Sequence, residues 1–515
     1  MGHEIRENDL PGSIHHLSKP HYPQIPSFSP SRDRIPEAII RSYPKKPCET
    51  DEGNLDLDCA TWQNQWLSKS LNQNLETMSL TTAETFHILV ALALLLIFAH
   101  GFGFFFAYFR QPRVVGEIFG GLLLGPTFLG HFFPEIQQMA FPSTDQVTYP
   151  VLGAIYQLGL LLLMFCSGIE VRSKFEPGER RTALAITATG TLLPFGLGLL
   201  FLKLYGWTDW EMLDMHRFYG EAENDTAFLL VFAIAVAVTS IPVISRIMFD
   251  LKILETSFAR IVLGAAVIED ILLYVVLAIA IGMVGQQEGD VSGLLGLLQI
   301  APDSGYAKLY HVLVPLAFIA FSLLFGPRLY QFLSRFRYNL LMKSSPVAFL
   351  LVFMLIMTGL CILLGITPIF GAFVAGMVVG ANDDSRIGPS PDTIKNFSFA
   401  FFVPVYFAIV GLKLDLVHAF EPVFFLIFLV FACGAKSLSV YAGARGAGET
   451  KQGAWNLAVA MNARGGPGIV LASVAYDAAI VGESFYVILV MLAIVTSLMA
   501  GSWLGKEVRS GEPLR

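Results

Sequence analysis

The sequence predicts an all-α polytopic membrane protein of about thirteen transmembrane helices, built as six-helix inverted repeats plus a linker helix, with two crossed discontinuous helices in the core. Three observations predict it. Hydrophobic residues make up 54% of the chain and charged residues only 15%, against roughly 25% charged in soluble domains, and its 42 Phe are spread over many apolar runs. Those runs reach or approach the ~20 residues that carry a helix across a bilayer. Glycine and proline patterns of the first half also recur, in order, in the second.

Read in order, the spans are 86–108, 114–131, 151–169, 182–204, 226–246, 258–284, 309–333, 347–364, 367–381, 397–412, 423–444, 454–476 and 483–505. The eighth and ninth come from one apolar stretch, 344–382, divided at the turn-like GITP of 365–368. Alternate connections hold the basic residues, among them Arg110 and Arg113, then Arg180 and Arg181, then Lys252 and Arg260, and finally Lys506 and Arg509. By the positive-inside rule this alternation sets the C-terminus in the cytoplasm and the N-terminus outside, in a multi-pass protein of the plasma membrane.

Residues 1–82 are rich in Pro, Ser, Asn and charge and lack an apolar run, so they read as a polar, disordered N-terminal tail. Cys48 and Cys59 lie in it and could pair if it is exported. The transmembrane domain is 83–505, with repeat one at 86–284, the linker helix at 309–333 and repeat two at 347–505, followed by a short cytoplasmic tail, 506–515.

The repeat is read from matched residues. GEIFGGLLLG of the second span and GAFVAGMVVG of the ninth align Gly116, Gly121 and Gly125 with Gly371, Gly376 and Gly380, while Gly168 of the third span corresponds to Gly411 of the tenth. The fifth and twelfth spans each carry a mid-membrane proline, Pro242 and Pro467. Proline removes a backbone donor and clashes with the preceding turn. One such proline reads as a kink. Two at matched positions, beside Thr239 and Ser240 in one case and Asn462 and Arg464 in the other, read as unwound crossing helices whose exposed carbonyls face an ion.

Glu269 and Asp270 stand side by side in the otherwise apolar sixth span, RIVLGAAVIEDILLYVVLAIAIGMVG. Ionisable groups at that depth are expensive and point to an ion or proton site. Neighbours on a helix differ by about 100° in direction, so the two acids should have separate roles. Lys436 interrupts the eleventh span and needs an acidic partner, one of these two, unless it snorkels to the interface. Arg464 is a second cation in the same half, read either as part of transport or as balancing half-helix C-terminal ends. Glu117, Glu170 and Asp415 read as interfacial, and His87 and His100 as packing residues. A carboxylate for which a cation and a proton compete would couple their fluxes. Two other readings stand beside exchange: a gated cation channel on the same scaffold, and an intramembrane aspartyl protease, which would need acids facing each other from separate helices.

VVGEIFGGLLLGPTFLG, LGLLLLMFCSGIEV, TSIPVISRIMFDLKILETSFARIVLGAAVIEDI, FGAFVAGMVVG and FFVPVYFAIVGLKLDL resemble the bacterial-type monovalent cation:proton antiporters, over residues 86–505 in order. The resemblance implies a homodimer of inverted repeats in the lipid bilayer that exchanges H+ for Na+ or K+. It implies that the adjacent acids Asp270 and Glu269 bind ion and proton, with Asp270 the essential carboxylate for the transported Na+ or K+ and Glu269 also pairing with Lys436, and that Thr239 and Ser240 lie in the unwound segment of the first crossing helix. Position 269 is Glu where related antiporters usually carry Asp or Asn. No enzyme activity, cofactor or nucleic-acid partner is expected, and no GxxxxGK[ST] phosphate loop is present. Ligand-gated potassium-efflux relatives carry a nucleotide-binding domain after the last span, for which 506–515 leaves no room, so gating of that kind is not expected.

Overall fold

Polar side chains cap several of the helices, Thr81, Asn224, Thr256, Ser345 and Thr450 each accepting from one of the first backbone N–H groups, which lack helical acceptors. The computed structural model describes residues 80–109, 111–142, 147–170, 179–205, 215–284, 305–382, 387–511 and 513–515. Helix α1 (Thr82–Tyr108) begins at a capping box in which Thr81 N donates to Glu84 Oε2 at 2.7 Å and Glu84 N to Thr81 Oγ1 at 3.2 Å. Helices α2 (Arg113–Leu124), α3 (Thr148–Ile169) and α4 (Glu179–Tyr205) follow. Asn224 caps α5 (Asp225–Ala237), accepting from Ala227 N at 2.9 Å; α6 (Ile241–Asp250) comes next, and Thr256 caps α7 (Ser257–Gly282). Beyond them lie α8 (Gly305–Arg335), α9 (Pro346–Leu363), α10 (Pro368–Gly380), α11 (Ser390–Phe397) and α12 (Val403–Leu412), the last two joined by one turn of π-helix at Ser398–Phe402. Helices α13 (Pro422–Ala447), α14 (Lys451–Ala460), α15 (Gly465–Asp477) and α16 (Glu483–Ser510) complete the chain.

Among the described residues, eleven helices, counting α11–α12 and α14–α15 as one each, are long and apolar enough to cross a membrane. The fifth and ninth expected spans correspond to the shorter apolar helices Asp225–Ala237 and Pro368–Gly380. The fifth span is interrupted at 238–240, and the ninth is a continuous 13-residue helix of which all but the first residue are buried. Residues Thr81–Arg515 form one compact unit. The expected tail and the Cys48–Cys59 pairing lie outside the described residues.

The two broken helices are α5–α6 and α14–α15. In neither does the proline itself sit at the break. Pro242 is the second residue of α6 and Pro467 the third of α15, first-turn positions where a missing N–H costs nothing, while unwinding falls just before them at 238–240 and 461–464. The unwound segments cross: Thr239 Oγ1 donates to Met461 O at 2.6 Å, Ser240 N to Ala463 O at 2.5 Å, and Gly466 N to Ser240 Oγ at 3.0 Å.

Elsewhere the halves meet at two close helix crossings whose contacts correspond residue by residue. Where α2 meets α12, a Cβ added to Gly121 would lie 1.8 Å from Ala408 O, and one added to Gly411 would lie 2.0 Å from Ile118 O. Where α10 meets α3, a Cβ on Gly376 would lie 2.2 Å from Phe165 O and one on Gly168 2.2 Å from Phe373 O. Each carbonyl is three residues before the glycine on its own helix. Helices α1–α3 and α9–α12 pack chiefly with one another, and α4–α7 with α13–α16, giving two groups that face each other across α7 and α15.

Candidate functional site

Helix α5 ends at Ala237 because the chain turns extended at Val238 (φ −64°, ψ 142°), leaving its last carbonyls without helical donors in the middle of the protein. Two cations from the second half supply them. Lys436 Nζ donates to Ala237 O, to Gly190 O at 2.9 Å and to Glu269 Oε2 at 2.7 Å, which uses all three of its donors. Arg464 Nε donates to Ala235 O at 3.2 Å, and its Nη2 donates to Val236 O at 3.0 Å and Ala432 O at 2.9 Å. Its Nη1 reaches Asn462 Oδ1 at 3.1 Å. A positive charge at a helix C-terminus is favourable in itself, and here it also replaces the missing N–H groups. Of the two readings of Arg464, balancing half-helix ends is the one its contacts fit.

The adjacent acids look in different directions, as the helical geometry of α7 requires. Glu269 is 0% exposed and turns to Lys436, which is also 0% exposed; a snorkelling lysine is therefore ruled out. Thr191 Oγ1 approaches Glu269 Oε2 at 3.4 Å. Asp270, 2% exposed, borders a small cavity between α5, α7 and α15 whose walls include Val238, Tyr274, Pro467 and Leu471. Among the described residues, Asp270 Oδ1, Glu269 Oε1 and the Tyr274 hydroxyl are buried without hydrogen-bond partners. Buried carboxyl oxygens without a protein partner are costly, and a proton or a hard cation would satisfy them.

The remaining expected residues serve the crossing. The Thr239 hydroxyl is spent on Met461 O, and Ser240 Oγ accepts from Gly466 N and Val243 N. Asn462 Nδ2 donates to Ser437 Oγ at 2.7 Å and Ala458 O at 3.0 Å. Glu170 pairs with Lys395, and Asp415 with His418 at 2.8 Å. His100 Nε2 sits 2.9 Å from Ala400 O, a polar contact where packing alone was expected. Among the described residues Glu117 forms no salt bridge, and its Oε2 is buried without a partner. Tyr274, Thr191 and Gly190 were not read from the sequence. Tyr274 is four residues after Asp270, a spacing that alone puts the two on one helix face.

A membrane-embedded helical body with two broken helices crossing beside buried acids defines the class of secondary ion transporters. Within that class the chain belongs to the sodium/hydrogen exchanger transmembrane family, which it matches over residues 88–508. It is 27% identical over 426 residues to the Na(+)/H(+) antiporter NhaS4 of Synechocystis, covering 80% of this chain and 95% of that protein. It is 28% identical over 414 residues to K(+)/H(+) antiporter 1 of Saccharomyces cerevisiae, covering 76% of this chain and 43% of the yeast protein. The chain therefore spans under half of the yeast relative and nearly all of the cyanobacterial one. The sodium proton antiporter MjNhaP1 of Methanocaldococcus jannaschii shares the fold, with a TM-score of 0.54 at 13% identity over 83% of this chain and 99% of that one.

Proposed function

We propose that this protein is a secondary active antiporter that exchanges protons for Na+ or K+ across a membrane by alternating access, with Asp270 binding either the cation or the proton. The observation that carries the reading is the carboxyl of Asp270, buried, without a hydrogen-bond partner, and bordering a cavity at the start of the broken helix α15. Relatives named as Na(+)/H(+) and K(+)/H(+) antiporters support the substrate pair. Glu269 and Lys436 hold each other within the core, Arg464 and the segment around Thr239, Ser240, Pro242, Asn462 and Pro467 keep the two breaks in register, and residues 83–505 carry the whole activity. The working form is a homodimer in the plasma membrane, with the basic loops and the C-terminus in the cytoplasm and the N-terminus outside; loop charge and the family resemblance support that arrangement.

Purified protein in acid-loaded liposomes should collapse the pH gradient when Na+ or K+ is added, and Asp270→Asn should abolish that collapse while the protein stays folded. The amide keeps the shape of the side chain but cannot trade a proton for a cation. A gradient untouched by any alkali cation would sink the proposal, and full exchange by Asp270→Asn would move the site elsewhere.

A further inference from the structure

On the face where α3 begins and where α12 and α15 end, polar side chains tie the two helix groups together. Tyr156 of α3 donates to Asp477 Oδ2 at 3.1 Å. Lys413, just past α12, donates to Asp477 Oδ1 at 3.1 Å, and its ammonium lies 4.4 Å from the centre of the Tyr156 ring. One turn deeper, Tyr406 of α12 donates to Ser473 Oγ of α15 at 3.4 Å, with the Tyr156 and Tyr406 rings 5.0 Å apart. Ser473 and Asp477 are four apart on α15, so both face α3 and α12. The other end of that same half-helix begins beside the Asp270 cavity, at Pro467.

The two layers differ in what it costs to separate them. Lys413 and Asp477 are 36% and 30% exposed, so both can be rehydrated when they part, and an ion pair of that kind is weak enough to break repeatedly. Tyr156, Tyr406 and Ser473 are buried and fill the space beneath. By contrast, the Glu269–Lys436 pair lies wholly within the group of α4–α7 and α13–α16 and need not break when the groups move.

We infer that Tyr156, Lys413 and Asp477 form a latch that shuts the pathway between Asp270 and the face on which Lys413 lies, and that it opens whenever Asp270 is reached from that face. The inference rests on the reading of Asp270 as the ion site. Ion flux is not needed to test it.

With the five native cysteines replaced by serine, Leu471→Cys places a thiol in the wall of the Asp270 cavity, and Leu273→Cys in the same wall is a second reporter. Sealed vesicles of each orientation are treated with a membrane-impermeant maleimide. Tyr156→Phe and Lys413→Met should each speed labelling from the Lys413 face several-fold and slow it from the opposite face. The exchanged pair, Lys413→Asp with Asp477→Lys, should return both rates toward those of the parent. Unchanged labelling of both reporters in both single variants, or an exchanged pair that labels as fast as they do, overturns the latch. A protein that fails to exchange ions but labels as expected would instead count against the antiport reading alone.

Discussion

At Glu269 and Lys436 the balance is set by how completely each partner is used. The ammonium has three donors and three acceptors, so neutralising it leaves Gly190 O and Ala237 O short of a donor as well as stranding the acid. Breaking a buried pair from one side costs about 3–5 kcal/mol, more than the intact pair contributes. Glu269→Gln and Lys436→Gln should each lower thermal stability in detergent, and combining them should recover much of the loss because no unpaired charge remains. Additive losses in the double-mutant cycle would mean the two do not act as a pair. That Lys436 needs one of the two adjacent acids was legible in the sequence, since a lysine in an apolar span demands a counter-charge; that the acid is Glu269 was implied only by the family resemblance. The donors' other targets were not legible there. Which backbone carbonyls fall idle depends on where α5 stops, and nothing in the residue types at 235–237 announces it. For the same reason Arg464 stayed ambiguous until its contacts with Ala235 O and Val236 O were known.

At the scale of helices, the glycine pattern that exposed the repeat has a physical cause: it marks places where backbones touch, Gly121 and Gly376 at the crossings of α2 with α12 and of α10 with α3, and Gly116 and Gly371 against Phe102 of α1 and Thr358 of α9. Gly121→Ala and Gly376→Ala should both destabilise the protein, because each new methyl would meet a carbonyl oxygen at 1.8 or 2.2 Å and must push two helices apart. Overpacking of this kind costs about 1–3 kcal/mol. Gly101→Ala is the control, with nothing within 4 Å of its added Cβ, and should be neutral or slightly stabilising through helix propensity. Thermal melts of the three variants check this; equal behaviour at all three positions would show that the crossings tolerate separation. The order and spacing of the apolar runs were enough to find every long helix. What hydropathy could not see is interruption: the matched prolines and the family resemblance marked the fifth and twelfth spans as broken, but each proline lies just after its break and not in it.

For the molecule as a whole, the fold divides its tasks between the halves of the chain in a way that bears on how it is made. Ala237 O waits for a donor 199 residues further on, and Ala235 O and Val236 O for one 229 and 228 residues further on. Until that part of the chain has been synthesised, the first half would sit in the bilayer with idle carbonyls and an acid whose cation does not yet exist, and lipid offers neither a substitute. A chain stopped after residue 344 should therefore be short-lived in a pulse-chase experiment, and supplying residues 345–515 as a separate polypeptide should lengthen its life. Equal lifetimes with and without the second piece would show that the first half settles unaided. The proposed ion site is thus a property of neither half: it comes into being late, at the moment the last-made helices arrive, and any cellular surveillance of unfinished membrane chains has the whole interval before that in which to act.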